Sequence, residues 1–241
     1  MRDLLNRVCQ PSGRTTPRLP VDEKIRSVTA GTERDSIAQV CQRMVADRLV
    51  VGTAGNVSVR AGNQVAVTPT GVSYSTLRAE DVGIHRLDGS AVDARLAPTS
   101  ELPLHLAVYA AFSDVRAVVH THSTAATSLS CLVPQVPAVH YYLALFGGAP
   151  RVAPYATYGT DSLAAGAVAA LEGRSACLLA NHGAVVVGAT LAEAYERAVY
   201  LEWVCEVALR VLSSGVIPRL LDGVEMDDAA ARLASYGQPA R

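Results

Sequence analysis

Lysine is almost absent from this chain, with Lys24 standing alone against twenty arginines. It falls in an N-terminal stretch flanked by proline and glycine, where an ammonium stays hydrated, so a desolvated lysine suited to Schiff-base chemistry on a carbonyl is excluded. A CxxC pair is also missing. The five cysteines, Cys9, Cys41, Cys131, Cys177 and Cys205, are odd in number and scattered. They fit reduced packing residues better than a disulfide framework or a thiolate metal site. No apolar run approaches the ~20 uncharged residues of a membrane helix, and the first residues lack the apolar core of a secretory signal. A cytoplasmic chain with no membrane partner is therefore expected. Charged residues make up 18% of the sequence and the net charge is −1, so there is no basic field for nucleic acid. A Walker A loop and a GxGxxG run are both absent, which leaves nucleotide binding without support.

What is present is enough apolar material for one sizeable core, since half of the 241 residues are hydrophobic. Residues 1–32 mix Pro11, Gly13, Pro17, Pro20 and Gly31 with charges and read as a flexible extension; residues 33–241 read as a single domain. Ile37, Val40, Cys41, Met44 and Val45 give the spacing of an amphipathic helix ending near Gly52. Short β-type runs follow in NVSVR, QVAVTP and DVGIHRL, with a turn at Asp88-Gly89. A helix over 102–112, the strand VRAVVH, a helix over 123–131 and an extended VPAVHYY come next. A helix over 161–172, the strands ACLLA and AVVVG, and a long helix over 191–212 complete the pattern. Hairpin-like pairs mixed with helices predict an α/β fold, a sheet covered by helices with antiparallel as well as parallel pairing.

Two histidines close the run Val115–His122. In an extended chain alternate side chains share a face, so His120 and His122 can aim both imidazoles at one ion. A second strand end supplies His182, in Asn181-His182-Gly183, where Gly183 allows a tight turn. Three imidazoles with an open position suit a catalytic zinc site that polarises a carbonyl. Glu101, in Pro98-Thr99-Ser100-Glu101, reads either as a first-turn acid favoured by the helix dipole or as a carboxylate beside the metal. Gly52–Ser58 and Thr68-Pro69-Thr70-Gly71 could let backbone N–H groups approach an anion, although each segment also reads as an ordinary turn. His85, His105 and His140 read as structural, His105 as a packed, hydrogen-bonded core residue.

The ordered segments GNVSVR, TPTG, PTSE, HTH, PAVHYY, YATYGT and NHG resemble the class II aldolase and epimerase family typified by L-fuculose-phosphate aldolase, over roughly residues 35–236. The resemblance implies a three-layer α/β/α sandwich with a central mixed, largely antiparallel sheet. It implies His120, His122 and His182 as zinc ligands, with Mn2+ or Co2+ as other candidate ions, and Glu101 as the catalytic acid/base that also touches the metal. It places Gly55, Asn56, Thr70, Gly71, Thr99 and Ser100 at the phosphate of a small phosphorylated sugar. It further implies a homotetramer with sites between subunits, in which Tyr141 of the neighbour serves the aldehyde oxygen. Tyr158 would form an aromatic wall and Tyr236 would sit on a mobile C-terminal tail. The family's commoner Ser-Ser pair before the glutamate is Thr99-Ser100 here. The implied reaction is cleavage of a ketose 1-phosphate, L-fuculose 1-phosphate or a 5-deoxy or 5-substituted pentulose 1-phosphate, to dihydroxyacetone phosphate and an aldehyde. A pentulose-phosphate 4-epimerase, a methylthioribulose-phosphate dehydratase and a non-catalytic binding module are the alternatives; Glu101, where the epimerases place aspartate, argues against the first, and the complete histidine set against the last.

Overall fold

The computed structural model describes residues 22–236, with side chains from residue 31 onward. Residues 1–21 of the arm read over residues 1–32, Cys9 among them, and the last five residues lie outside this range. One eight-stranded sheet organises the chain. Its strands are β1 (Asn56–Ala61), β2 (Gln64–Val67), β3 (Gly83–Arg86), β4 (Ala91–Asp93), β5 (Ala117–Thr121), β6 (Val152–Ala153), β7 (Ala176–Leu179) and β8 (Gly183–Gly188), in the order β4-β3-β2-β1-β5-β8-β7-β6. Every pairing is antiparallel except β6 with β7. The expected mixed, largely antiparallel sheet is therefore present.

Side chains alternate across it, and each face is covered. Val57, Val59, Val119 and Val186 pack with helices α1 (Asp22–Ala46), α3 (Thr124–Ser130) and α5 (Leu191–Ser213). Val65, Val118, Val185 and Val187 pack on the other face with α2 (Leu102–Ala111) and α4 (Asp161–Leu171). Three layers result, each fully buried Val or Leu contributing about 1.5–3 kcal/mol. No helix among the described residues is long and apolar enough to cross a membrane.

Three features depart from the sequence pattern. Helix α1 begins at Asp22, inside the stretch read as an extension. Among the residues whose side chains are described its buried anchors start at Ile37, and each residue added to a packed helical segment makes one more backbone bond. Gln135 makes one bridge with Arg151, but Tyr141–Phe146 is a short 3-10 helix rather than extended chain. The His140 imidazole caps it by accepting from the Tyr142 N–H. Helix α6 (Gly223–Leu233) was not foreseen; it opens with a capping box between Asp222 and Glu225 and packs on the Tyr141–Phe146 helix. Of the described cysteines, Cys41, Cys177 and Cys205 are free and buried as expected, while Cys131 is free but exposed.

Candidate active site

The central strands bring the chemistry together. β5 lies between β1 and β8, with His120 opposite Asn56 on one side and Val185 on the other. Even-numbered residues of β1 and β5 point toward α2, so His120 faces the start of that helix, where Glu101 is the N-cap. His122 follows at the strand's end, its N–H bonded to the Leu49 carbonyl. His182 sits in the β7–β8 turn. Asn181, rather than Gly183, takes the left-handed conformation there, at φ 55°. Gly183 is needed for close approach instead: a Cβ would lie 2.1 Å from the Thr121 carbonyl oxygen.

One ligand atom each from Glu101, His120, His122 and His182 lies within 4.8 Å of the others. The three imidazoles stand nearly edge to face, with centroids 4.7–4.9 Å apart. His120 Nδ1 donates to the Ala184 carbonyl at 2.9 Å, which turns Nε2 inward. That nitrogen meets His122 Nε2 at 2.9 Å and Glu101 Oε2 at 3.1 Å. Glu101 Oε1 is buried without a hydrogen-bond partner, 3.6 Å from His182 Nε2. Converging lone pairs and a carboxylate oxygen with no donor between them form the arrangement a divalent cation resolves, and the nitrogen and oxygen donors suit such an ion. Titration points the same way. Burial, with His120 and His182 nearby, pushes His122 down to about 3 against the pull of Glu101. Burial and His120 push His182 down to about 4. Burial raises the Glu101 carboxyl, but His120, a hydrogen bond from Asn56 and His182 outweigh it and hold it below the usual carboxylate range. Neutral His122 and His182 beside an ionised carboxylate are metal-ready ligands.

A cleft of about 290 Å³ opens beside these groups. Gly55, Asn56, Thr70, Gly71, Thr99, Ser100 and Glu101 line it together with His122, His182 and Tyr158. Three distant segments are sewn together to make it. Thr99 N–H donates to the Thr68 carbonyl, Thr70 N–H to the Ala97 carbonyl, and Val57 N–H to Thr68 Oγ1. Gly55, at φ 86°, would put a Cβ 2.9 Å from the His120 carbonyl. The buried Tyr74 hydroxyl donates to the Gly55 carbonyl at 2.7 Å. Tyr74, Tyr155 and Asn181 were not singled out from the sequence, although the last two also line the cleft. The repeated tyrosine of Tyr155-Ala156-Thr157-Tyr158 was the only available signal for Tyr155.

Two predicted residues lie elsewhere on the same chain. Tyr141 and Tyr236 line a second cavity between the Tyr141–Phe146 helix and α6. Tyr141 is 42% exposed and stacks on His140, whose ring also meets Trp203. His85 is buried, with Nδ1 3.3 Å from the Gly89 carbonyl. His105 is the core residue expected. Lys24 falls in α1, where its side chain is outside the described residues.

An imidazole-carboxylate cluster able to hold a metal ion thus lies beside an anion-sized cleft on an α/β/α sandwich, and the sequence matches the Class II Aldolase and Adducin N-terminal domain family over residues 35–209. The chain belongs to the class II aldolase family and is a lyase. Within it the chain is 37% identical over 208 residues to the 5-deoxy-D-ribulose 1-phosphate aldolase of Bacillus thuringiensis, covering 86% of this chain and 97% of that one. It is 41% identical over 191 residues to the 5-methylthioribulose-1-phosphate/5-deoxyribulose-1-phosphate aldolase of Rhodospirillum rubrum, covering 79% and 86%. A solved L-fuculose 1-phosphate aldolase superposes with a TM-score of 0.81 at 33% identity, covering 84% and 96%.

Proposed function

We propose that this enzyme cleaves a ketose 1-phosphate to dihydroxyacetone phosphate and an aldehyde by a zinc-dependent retro-aldol reaction. The observation that carries the reading is the convergence of Glu101 and three imidazoles beside a cleft edged by small and hydroxyl residues. The two relatives named as 5-deoxyribulose 1-phosphate aldolases favour a 5-deoxy or 5-substituted pentulose 1-phosphate, with L-fuculose 1-phosphate as the second candidate.

His120, His122 and His182 would hold the ion, with Glu101 completing the set. Three nitrogen donors and an oxygen suit zinc, and Mn2+ or Co2+ could replace it. Once bound, the ion would supply Lewis acidity to the ketose carbonyl and offset charge gathering on its oxygen. The protein side chains do the rest. Gly55 and Gly71 offer backbone N–H groups, and Thr70, Thr99 and Ser100 offer hydroxyls, at the start of α2, where the helix end favours an anion. Holding the phosphate there fixes the reacting carbon beside Glu101. As the C3–C4 bond breaks, its electron pair passes to C3 and the C4 hydroxyl proton leaves. Glu101 moves the proton that C3 regains. Tyr141 takes the one from C4, reaching the cleft from the neighbouring subunit of a homotetramer, a reading supported by its exposure and its distance from its own cleft. Tyr158 walls the aldehyde side, and Tyr236 would join it from the C-terminal segment.

A coupled assay for dihydroxyacetone phosphate from 5-deoxyribulose 1-phosphate and L-fuculose 1-phosphate tests this. Release should stop with chelator and return with zinc. No release from either, with the pentulose epimerised or dehydrated instead, would overturn it.

A further inference from the structure

Behind Glu101 runs a buried row of polar side chains to which the reaction above gives no role. Asn56 and Ser58 on β1 face α2, where Glu101, His105 and Tyr109 recur every fourth residue along one side. All five are 5% exposed or less. Asn56 Nδ2 lies 2.8 Å from Glu101 Oε2, and Asn56 Oδ1 lies 2.5 Å from His105 Nε2. His105 Nδ1 lies 2.6 Å from Ser58 Oγ, which lies 2.7 Å from the Tyr109 hydroxyl.

The hydrogens in this row have only one consistent assignment. A carboxylate accepts and never donates, so Asn56 turns its NH2 toward Glu101. Its carbonyl oxygen then faces His105, which obliges Nε2 to carry the hydrogen. Burial, reinforced by His120 and partly opposed by Glu101, pushes His105 down to about 3, so the ring is neutral and its Nδ1 is bare. Ser58 donates to that nitrogen and accepts in turn from Tyr109. The opposite tautomer would turn the Asn56 carbonyl against the carboxylate, two acceptors facing each other in a dry interior.

We propose that His105, itself oriented by Ser58 and Tyr109, is a positioning residue that locks the Asn56 amide and through it fixes the rotation of Glu101 beside the imidazoles. This rests on the reading of Glu101 as the proton-transferring carboxylate. Such a role explains why a helix whose buried neighbours are Leu102, Leu104 and Val108 keeps a fully buried imidazole.

Two measurements on the zinc-loaded full-length protein test it. Two-bond 1H–15N spectra, with the His105 signal assigned by its loss in His105→Gln, should show the Nε2–H tautomer; an Nδ1–H or doubly protonated ring overturns the inference, whatever the enzyme catalyses. In the kinetic test, His105→Leu should lower kcat roughly 10- to 100-fold while KM and zinc content hold. His105→Gln, which keeps a donor within reach of Asn56 Oδ1, should recover most of that loss. Adding His105→Leu to Asn56→Ala should cost nothing more, because the histidine acts through the amide. Equal losses in the Leu and Gln variants, or additive losses in the double variant, overturn it, and if His105→Leu fails to fold the tautomer still decides. Absence of dihydroxyacetone phosphate release by the wild type would instead strike the aldolase reading and leave the tautomer test standing.

Discussion

The two places that hold the predicted tyrosine and histidine chemistry are built in opposite ways. The imidazole cluster sits at the ends of central strands, with His122 and His182 half-buried and His120 0% exposed, its ring pinned by a backbone carbonyl. Tyr141 and Tyr236 lie on a short 3-10 helix and at the end of a terminal helical segment, and Tyr236 is 87% exposed. Groups that must present lone pairs to one point need a frame that cannot drift. Groups proposed to meet the substrate from a neighbouring subunit would need a surface that another chain can reach.

Variants on each side sharpen this contrast. Glu101→Gln should lower kcat by about 10²- to 10⁴-fold while the far-UV circular dichroism stays unchanged; a smaller loss would remove the carboxylate from proton transfer. Tyr141→Phe should cost about 10- to 100-fold in kcat and leave zinc affinity alone. Mixing unfolded and refolded Glu101→Gln and Tyr141→Phe subunits should restore about a quarter of wild-type activity, since sites built between subunits can draw one intact group from each. No recovery on mixing would place both groups in one subunit's cleft. Gly183→Ala should destabilise the fold by roughly 1–3 kcal/mol in urea and weaken zinc binding with it, because the new methyl meets the Thr121 carbonyl between the two histidine-bearing segments. The smallest effect belongs to the cleft's exposed wall. Tyr158→Ala should raise KM by a few-fold with kcat nearly constant, the signature of lost uniform binding.

Sequence patterns carried the rigid region better than the open one. His120 and His122 were legible because a β-branched run fixes the two-residue period that puts both on one face. The order of GNVSVR, TPTG and PTSE placed the cleft segments, and the sheet and its covering helices followed from the same alternation. The start of α1 was hidden because the charged and polar residues before Ile37 interrupt any sustained apolar period. The Tyr141–Phe146 helix was hidden because its cap is a histidine side chain, not one of the usual Ser, Thr, Asp or Asn signals. Helix α6 was legible but missed: its capping box and the spacing of Met226, Ala229, Ala230 and Leu233 both mark an amphipathic helix, although it buries no residue fully. The row from Tyr109 to Glu101 could not be read at all: its hydrogen bonds span 45 to 51 residues and exist only once β1 packs against α2. His105 could be recognised as a core residue, but not its partners.

The register of β1 on β5, with Asn56 opposite His120, also limits how this enzyme can diversify. Inserting a single residue in either strand would turn its even-numbered positions to the opposite face, carrying Asn56 or His120 away from α2. The loop carrying Tyr155 and Tyr158 joins β6 to α4 and is bound by no such two-residue count. Length and side-chain changes there can reshape the outer wall of the cleft while Glu101 and the three histidines stay where the sheet puts them, so the cleft can change shape without disturbing the cluster beside it.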